Sequence, residues 1–427
     1  MNTVTVGIRG GEVVEPTGRR RTELLISEGR IVDVGDNAGE GADVVLDASG
    51  CFVTSGLVDL HTHMREPGRE EAETVHTAAV GAARGGFTTV CAMPNTTPAI
   101  DSPALVRDIL RLGENVPCRV LPVGAITKDR AGRELAPMGE MADLGVTMFT
   151  DDGTGVADNA LMRRAMEYAS GLGVTLAQHC EDPALAGGGA MHEGEWSARL
   201  GIPGQPAEAE ELMVMRDIAL SRLTGARIHF QHLSTAGSVE MVRRARAARL
   251  AVSAEATTHH FTLTHAECRT FDPVFKVHPP LRTSDDVAAV RAGLADGTID
   301  AIATDHAPHT PETKDLPFDQ APPGMLGLET ALALALTELD LPLERILDLM
   351  SWTPARIAGL GDDHGSLAVG SRADICVVDP NDTWTVSGRA MASRSRNTPY
   401  EGRTLTGRVR HTVYAGRPVF VDGEDNL

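Results

Sequence analysis

The chain has 427 residues, a composition that is 42% hydrophobic and 23% charged, and a formal net charge of −20. This length exceeds the size at which a single ordinary core stops growing, so we expect one large barrel-type domain with an accessory, or two ordinary domains. The acidic balance argues against a nucleic-acid partner, because phosphates attract basic patches.

Signals for a membrane or an oxidising compartment are absent from the sequence. No apolar run approaches the roughly 20 residues that a bilayer span needs. The stretch MNTVTVGIRGGEVV lacks the basic, apolar and cleavage regions of a secretory signal, so we predict a cytoplasmic location. The six cysteines form no CxxC pair, which indicates free thiols rather than disulfides or a thiolate metal site.

Short alternating apolar runs broken by glycine open the chain. VTVGIRGGEVV, RTELLISEGRIVDVG and ADVVLDASGCFVTSG all lie before residue 56 or end there. Alternation with a period of two predicts antiparallel strands that bury one face.

The central part, residues 56–364, alternates β-branched apolar runs with amphipathic stretches of helical period. The eight runs are GLVDLH (56–61), TTVCAM (88–93), RVLPVGAI (119–126), GVTMFT (145–150), GVTLAQH (173–179), ARIHFQH (226–232), LAVSAEA (250–256) and IDAIAT (299–304). Eight such units over about 250 residues predict an α/β fold, a (β/α)₈ TIM-type barrel. An open doubly wound sheet is disfavoured, because no GxGxxG turn follows the first run.

The C-terminal segment has the same pattern of alternating apolar residues as the N-terminal segment. GSLAVGSRADICVVDP and GRVRHTVYAGRPVFVDG are again short alternating runs with glycine. Because the two ends of a domain usually lie close together, we predict that residues 1–55 and 365–427 join into a small accessory β-sandwich beside the barrel.

Histidine and aspartate residues follow the predicted barrel strands at their C-terminal ends. His61 and His63 are two residues apart, so their side chains point to the same side of a strand. The other ends carry Asp151, Asp152, His179, His232 and Asp305. Active sites of such barrels lie at this face. By the same alternation, His229 has the opposite parity to His232 and is expected to face the helices.

This donor set of nitrogen and oxygen atoms suits two zinc ions roughly 3.5–4 Å apart, an arrangement that activates water and polarises a carbonyl. The sequence therefore predicts a hydrolase. Alternation alone leaves the choice between Asp151 and Asp152 open, because a strand end can bulge and change faces.

Eight motifs together closely resemble the dihydroorotases of the amidohydrolase superfamily, specifically the bacterial type I branch. The motifs, spread over about residues 50–380, are DLHTHMREPG, AMPNTTP, FTDDG, AQHCED, QHLST, PPLR, ATDHAPH and GLET. The resemblance implies the reversible cyclisation of N-carbamoyl-L-aspartate to L-dihydroorotate with loss of water, a step of pyrimidine biosynthesis.

The resemblance also implies two zinc ions per chain and six ligands. His61, His63 and Asp305 would bind the more buried zinc, His179 and His232 the second, and Asp152 would bridge both. Asp305 would also be the general base. Many superfamily members use a carboxylated lysine as the bridge, but here the fourth strand ends in Thr-Asp-Asp and the nearest lysine is Lys128.

Substrate contacts follow from the same resemblance. They are His63, Arg65, Asn95, His278, His309, Pro323 and Gly324, with Arg65, Asn95 and His309 holding the substrate carboxylate. His278 stands where the family usually has asparagine, and an imidazole cannot reproduce the donor and acceptor pair of an amide. Pro323 stands where an aromatic is common, so that contact would come from backbone atoms.

Several questions stay open at the level of sequence. Residues 310–326 are rich in proline and polar side chains and form either a mobile lid or an ordinary surface loop. The rival functions are a hydantoinase, dihydropyrimidinase or allantoinase, and a non-catalytic scaffold for aspartate transcarbamoylase. A homodimer and a complex with aspartate transcarbamoylase are further alternatives, whereas a membrane partner is not expected.

Overall fold

The computed structural model describes residues 4–361 and 364–426. Residues 1–3, 362–363 and 427, which the predicted segments 1–55, 56–364 and 365–427 include, lie outside the described residues. None of the helices in the described ranges combines the length and apolar character required to cross a bilayer.

Seven short strands open the chain. They are β1 (Val6–Arg9), β2 (Glu12–Glu15), β3 (Gly18–Arg21), β4 (Glu23–Ser27), β5 (Arg30–Gly35), β6 (Val44–Asp47) and β7 (Phe52–Ser55). Burial alternates along β4, as expected for a strand with one face on a core. Four of these strands form a sheet in the order β5-β4-β1-β6.

Strands and helices alternate through the central part. The strands are β8 (Leu57–Thr62), β9 (Phe87–Ala92), β10 (Arg119–Pro122), β11 (Met148–Phe149), β12 (Thr175–Gln178), β13 (Met191–His192), β14 (Gly204–Gln205), β15 (Arg227–Phe230), β16 (Val252–Thr257) and β17 (Ala301–Ala303). Strands β13 and β14 pair only with each other in the described chain. The other eight coincide with the eight apolar runs predicted from the sequence.

The helices lie mainly between these strands. They are α1 (Val75–Arg84), α2 (Pro103–Leu112), α3 (Met138–Ala142), α4 (Asn159–Leu172), α5 (Pro183–Ala186), α6 (Glu195–Leu200), α7 (Glu208–Thr224), α8 (Ala236–Ala247), α9 (Thr258–Thr262), α10 (Ser284–Asp296), α11 (Pro311–Lys314), α12 (Ala331–Glu338), α13 (Leu343–Leu347) and α14 (Thr353–Ile357). Thr74, Asp158 and Thr283 cap α1, α4 and α10 by accepting a hydrogen bond from a first-turn N–H.

Parallel pairing arranges the eight central strands in chain order. One sheet has the order β10-β9-β8 and another β11-β12-β15-β16-β17. Isolated parallel bridges join Gly124 to Phe149, and Thr62 to His306, at the two places where the sheets would meet. Every residue of β8 and β9 is buried, as expected for parallel strands covered on both faces. The expected parallel α/β arrangement is therefore confirmed.

The C-terminal strands return to the N-terminal ones. They are β18 (Ile375–Thr385), β19 (Thr404–Tyr414), β20 (Arg417–Val421) and β21 (Glu424–Asp425). A seven-stranded sheet has the order β21-β20-β19-β18-β7-β2-β3, so the two chain ends share one sheet. A hydrophobic cluster that includes Leu24, Val53, Ile375 and Val413 connects it to the four-stranded sheet.

Gly56 links the end sheet to the first central strand, and it tolerates no side chain. A Cβ atom there would come within 2.0–2.6 Å of the buried Thr88 side chain on β9. We expect Gly56→Ala to lower the free energy of unfolding by roughly 1–3 kcal/mol, measured by urea denaturation. Gly171→Ala is the matched control, because a Cβ there meets no atom within 4 Å and alanine favours helix α4. Equal stability of the two variants would contradict this packing.

Candidate metal centre and active site

His61, His63 and Asp152 form one group of candidate metal ligands. Their ligand atoms lie within 4.8 Å of one another, and all three residues are buried. His61 Nε2 lies 3.2 Å from Asp152 Oδ1 and 3.5 Å from Asp305 Oδ1, and His63 Nε2 lies 2.9 Å from Asp305 Oδ1. The end of β8 therefore aims two imidazoles at two carboxylates that come from other strands.

Asp152, His179 and His232 form a second group of the same kind, so one carboxylate belongs to both. His179 Nδ1 lies 3.6 Å and His232 Nε2 lies 3.8 Å from Asp152 Oδ1. His179 Nδ1 lies 2.8 Å from His232 Nε2. The structure thus brings together all six residues that the sequence suggested as ligands.

The charges in this cluster are strongly coupled. Burial alone would lower the pKa of His61, but the carboxylates of Asp152 and Asp305 outweigh it and raise that pKa well above its usual value. The pKa of His179 rises to about 10, because contacts with Asp152 and Glu181 overcome the effect of burial. The same imidazoles hold the pKa of Asp152 far below its ordinary range, against the effect of burial. The buried carboxylates of Asp152 and Asp305 therefore favour positive charge in the space between them and the histidines.

A bound divalent cation fits these observations. His61 Nε2 and His232 Nδ1 are buried and have no hydrogen-bond partner. Two unpartnered buried imidazole nitrogens are costly unless something else contacts them. Imidazole nitrogens and carboxylate oxygens are ligands that zinc accepts.

The backbone bends sharply where several of these side chains leave their strands. His232 and Asp305 have φ values of 32° and 45°, and Arg65 has a φ of 60°. Positive φ is unusual for residues with a Cβ and is typical of sites where the fold imposes a functional conformation. These bends change which face a side chain points to.

Asp151 and Asp152, between which strand alternation did not decide and the family resemblance implied Asp152, point in different directions. The Asp151 carboxylate accepts hydrogen bonds from the N–H groups of Ile126 and Thr127, both at 2.9 Å, and from the Thr127 hydroxyl. Burial raises the pKa of Asp151 to about 6. Asp151 therefore holds a neighbouring loop, and Asp152 is the aspartate among the histidines.

Arg65 and Asn95 lie beside the cluster. Asn95 Oδ1 accepts a hydrogen bond from His63 Nδ1 at 2.8 Å, and its Nδ2 donates to Asp152 Oδ2 at 3.3 Å. Arg65 is buried, and its Nε donates to the Pro308 carbonyl at 3.1 Å. Burial and the nearby positive charge of Arg69 lower the pKa of Arg65 to about 9, against the opposing effect of Asp305 and Asp152. This guanidinium is suited to an anionic ligand.

His309, Pro323 and Gly324 form the opposite wall. His309 Nε2 donates to the Pro323 carbonyl at 2.8 Å and lies 3.3 Å from the Arg65 guanidinium. A Cβ at Gly324, where φ is +139°, would come 2.7 Å from that of Ala307. The Gly324 N–H donates to the Lys276 carbonyl, so this backbone donor is already engaged.

These residues line a cavity of about 210 Å³, a volume that suits a small molecule. Among the predicted site residues, those on its wall are His63, Arg65, Asn95, Asp152, His179, His232, His278, Asp305, His309, Pro323 and Gly324. His61 is fully buried and does not reach the wall. His278 is partly exposed, and its Nδ1 lies 4.0 Å from Glu181 Oε2.

The prediction that His229 faces the helices is wrong. His229 Nε2 donates to Glu255 Oε2 at 3.0 Å, and the other oxygen of Glu255 lies 2.9 Å from His61 Nδ1. The bend at His232 breaks the two-residue alternation on which the prediction depended. Glu255 itself was missed, although a lone acid inside the apolar run LAVSAEA is a signal of a paired buried charge.

Two arginines were also missed. Arg130 donates to the Asp152 carbonyl at 2.5 Å. Arg69 lines the cavity beside Arg65. The motif REPGRE contains this second arginine, four residues after Arg65, and could have indicated it.

The segment 310–326 is fastened at its C-terminal end. Lys314 Nζ donates to the carbonyls of Pro322 at 2.9 Å and Gly324 at 3.2 Å. Asn397 Nδ2 donates to the Gly324 carbonyl at 3.0 Å. These contacts connect the segment to the cavity wall, and its role as a lid stays a prediction.

Comparisons with known proteins agree with this site. A family model described as "Dihydro-orotase-like" matches residues 50–238. A dihydroorotase of Pelotomaculum thermopropionicum is 48% identical over 92% of this chain and 93% of its own length. A dihydroorotase of Mycobacterium tuberculosis is 47% identical over 93% of this chain and 94% of its own length.

Solved structures share the fold. The L-hydantoinase (dihydropyrimidinase) from Arthrobacter aurescens superposes with a TM-score of 0.88 at 24% identity, covering 99% of this chain and 97% of that one. A D-hydantoinase gives a TM-score of 0.87 at 24% identity, covering 98% and 96%.

The candidate metal ligands, together with relatives that are named dihydroorotases, define the chain as a hydrolase. Since relatives 47–48% identical cover more than nine-tenths of it, the chain belongs to the dihydroorotase family. The enzyme class expected from the sequence is thereby confirmed.

The shared carboxylate generates a first prediction for this site. We expect Asp152→Asn to bind less divalent metal than the wild type, because the neutral amide removes the charge that both candidate ligand groups share. The measurement is metal content after dialysis. Asp151→Asn is the matched control and should retain wild-type zinc with lower thermal stability, and an equal loss of metal in both variants would count against the assignment.

The fastened loop generates a second prediction. We expect Lys314→Met to raise the KM for substrate roughly tenfold, because a charged hydrogen bond contributes about 1.5–3 kcal/mol. Steady-state kinetics would measure the change. Lys128→Met removes an exposed lysine that pairs with Glu134 and should leave KM unchanged. An unaltered KM for the Lys314 variant would favour an ordinary surface loop.

Proposed function

We propose that the chain catalyses the reversible cyclisation of N-carbamoyl-L-aspartate to L-dihydroorotate with loss of water, in pyrimidine biosynthesis. The observation that carries this proposal is the buried Arg65 guanidinium, which forms no ion pair with a carboxylate of the described residues and lies on the wall of a cavity whose floor holds candidate metal ligands. The relatives of this chain that are named dihydroorotases support it.

We further propose that the eight parallel strands close into a (β/α)₈ barrel spanning residues 56–364. Residues 1–55 and 365–427 would form the accessory β-sandwich. The two isolated bridges, Gly124 to Phe149 and Thr62 to His306, support closure. The fold likeness to hydantoinases supports it as well.

Two zinc ions are proposed as the cofactor. His61, His63 and Asp305 would hold one, His179 and His232 the other, and Asp152 would bridge both. Bound zinc supplies Lewis acidity, which polarises a carbonyl and lowers the pKa of water. The donor set and the two unpartnered imidazole nitrogens support this assignment.

Asp305 is the proposed catalytic base. Burial would raise its pKa, but His61 and His63 outweigh burial and hold that pKa below the usual range, so the carboxylate is ionised. In the hydrolytic direction Asp305 takes a proton from water and delivers it to the departing ring nitrogen. Its backbone conformation, with φ of 45°, fixes the carboxylate at the cavity floor.

Substrate binding falls to the residues around Arg65. Arg65, Asn95 and His309 would hold the substrate carboxylate, and His63, His278, Pro323 and Gly324 would contact the rest of the molecule. A ligand without that carboxylate leaves Arg65 buried and unpaired, which disfavours its binding. The site should therefore select cyclic amides that carry a carboxylate over uncharged cyclic amides.

The rival functions are less well supported. A bridging lysine is missing from the end of β11, since Thr150, Asp151 and Asp152 follow it and Lys128 is exposed and paired with Glu134. A scaffold without catalysis would not need six ligand groups gathered together. A homodimer, a complex with aspartate transcarbamoylase and a cytoplasmic location stay predictions.

The decisive experiment compares substrates on the zinc-loaded protein. We expect hydrolysis of L-dihydroorotate and formation of the ring from N-carbamoyl-L-aspartate, with no turnover of hydantoin or dihydrouracil. Turnover of the uncharged rings in preference to dihydroorotate would indicate a hydantoinase-type enzyme. A zinc-loaded protein inactive on every ring would indicate the scaffold.

Arg65 provides the test of substrate charge recognition. We expect Arg65→Gln to lower kcat/KM for dihydroorotate at least 30-fold, since truncating one partner of a buried charge pair costs about 2 kcal/mol or more. Arg107→Gln, on the exposed side of α2, is the control and should behave as wild type. A similar kcat/KM in both variants would show that another group holds the carboxylate.

A further inference from the structure

Glu255 on β16 is a buried carboxylate that the proposed reaction does not use. Its side chain is 1% exposed. Glu255 Oε1 lies 2.9 Å from His61 Nδ1, and Oε2 lies 3.0 Å from His229 Nε2. His229 Nδ1 in turn lies 2.8 Å from the Ser253 hydroxyl. A chain of contacts thus runs from Ser253 to a candidate zinc ligand.

These contacts settle which nitrogen of His61 carries the proton. An ionised carboxylate only accepts hydrogen bonds, so Nδ1 of His61 must donate. Gln231 Nε2 also lies 3.3 Å from that Nδ1, but the Gln231 side chain is oriented by the Thr150 hydroxyl, which donates to Gln231 Oε1 at 2.7 Å. The Glu255 contact is shorter and charge-assisted, and it therefore decides the tautomer.

When a cation replaces the second proton of His61, Nδ1 can keep its hydrogen bond to Glu255 and the Nε2 lone pair can bind the metal. Nε2 is buried without a hydrogen-bond partner, 3.2 Å from Asp152 Oδ1. The ring cannot turn away without breaking its bond to Glu255. A fixed tautomer and a fixed ring plane are what a metal-binding histidine requires.

We infer that Glu255, supported by His229, is a positioning residue that holds His61 as a zinc ligand. The inference rests on the proposed zinc centre and extends it to two residues outside the ligand set. His229 supplies a second hydrogen bond, to Oε2, which orients the Glu255 carboxylate. Loss of this support should weaken one zinc site selectively, because no other candidate ligand contacts Glu255 among the hydrogen bonds of the described residues.

The test measures zinc affinity, with a chromophoric chelator as competitor, for the full-length chain. We expect Glu255→Gln to bind one zinc ion 10- to 100-fold more weakly and the other as wild type does. Glu255→Asp keeps the carboxylate and should recover part of the affinity. Cobalt(II) substitution should change the visible spectrum of Glu255→Gln at the weakened site only.

The matched control is Glu329→Gln, which alters a partly buried glutamate beside Arg84 that contacts none of the six proposed ligands in the described structure. Wild-type zinc affinity in Glu255→Gln, or an equal loss in Glu329→Gln, would overturn the inference. Should Glu255→Gln not fold, His229→Gln takes its place. It should weaken the same zinc by a smaller factor, and wild-type affinity there would overturn the inference too.

This experiment separates the inference from the proposed function. A wild-type protein that binds two zinc ions but does not turn over dihydroorotate would remove the proposed function and leave the role of Glu255 to be decided by the affinities. A wild-type protein that binds no zinc would overturn the inference.

Discussion

The buried carboxylate of Asp152 is the constraint on which the rest of the site depends. A buried charge is costly unless opposite charge or hydrogen bonds compensate it. Here the compensation comes from His61, His179 and His232, whose imidazole nitrogens lie 3.2–3.8 Å from one of its oxygens. These residues come from three different strand ends, so the carboxylate is tolerable only where the strands converge. The arrangement of the strands is therefore what allows this buried carboxylate to be stable.

Rigid strands carry the metal-binding side, whereas loops carry the substrate side. The candidate ligands leave β8, β12 and β15 or the residues just after β11 and β17, and neighbours such as Asn95 and Glu255 hold their rings. The opposite wall, with His309, Pro323 and Gly324, belongs to a segment fastened by side-chain contacts to backbone carbonyls. A precise metal centre and a replaceable binding wall can thus coexist on one scaffold.

Local charge at the cavity opposes the charge of the whole chain. The net charge is −20, yet Arg65 and Arg69 line the cavity and Arg130 lies behind Asp152. Burial lowers the pKa of His309, and the positive charges of Arg65, Lys314 and Arg69 lower it further. This wall of the cavity therefore carries several positive charges. An acidic protein with such a pocket concentrates selectivity for small anions at one place.

The sequence by itself determined the eight central strands, the pairing of both chain ends and the six gathered His and Asp residues, because strand periodicity and strand-end position are local properties. Tertiary structure alone decided that His229 faces Glu255 and that Glu255 contacts His61, 194 positions away in sequence, and it supports the choice of Asp152 that strand alternation left open. The physical reason is that these side chains meet partners from strands that are distant in sequence, and that positive-φ bends at His232 and Asp305 interrupt the regular alternation of side chains.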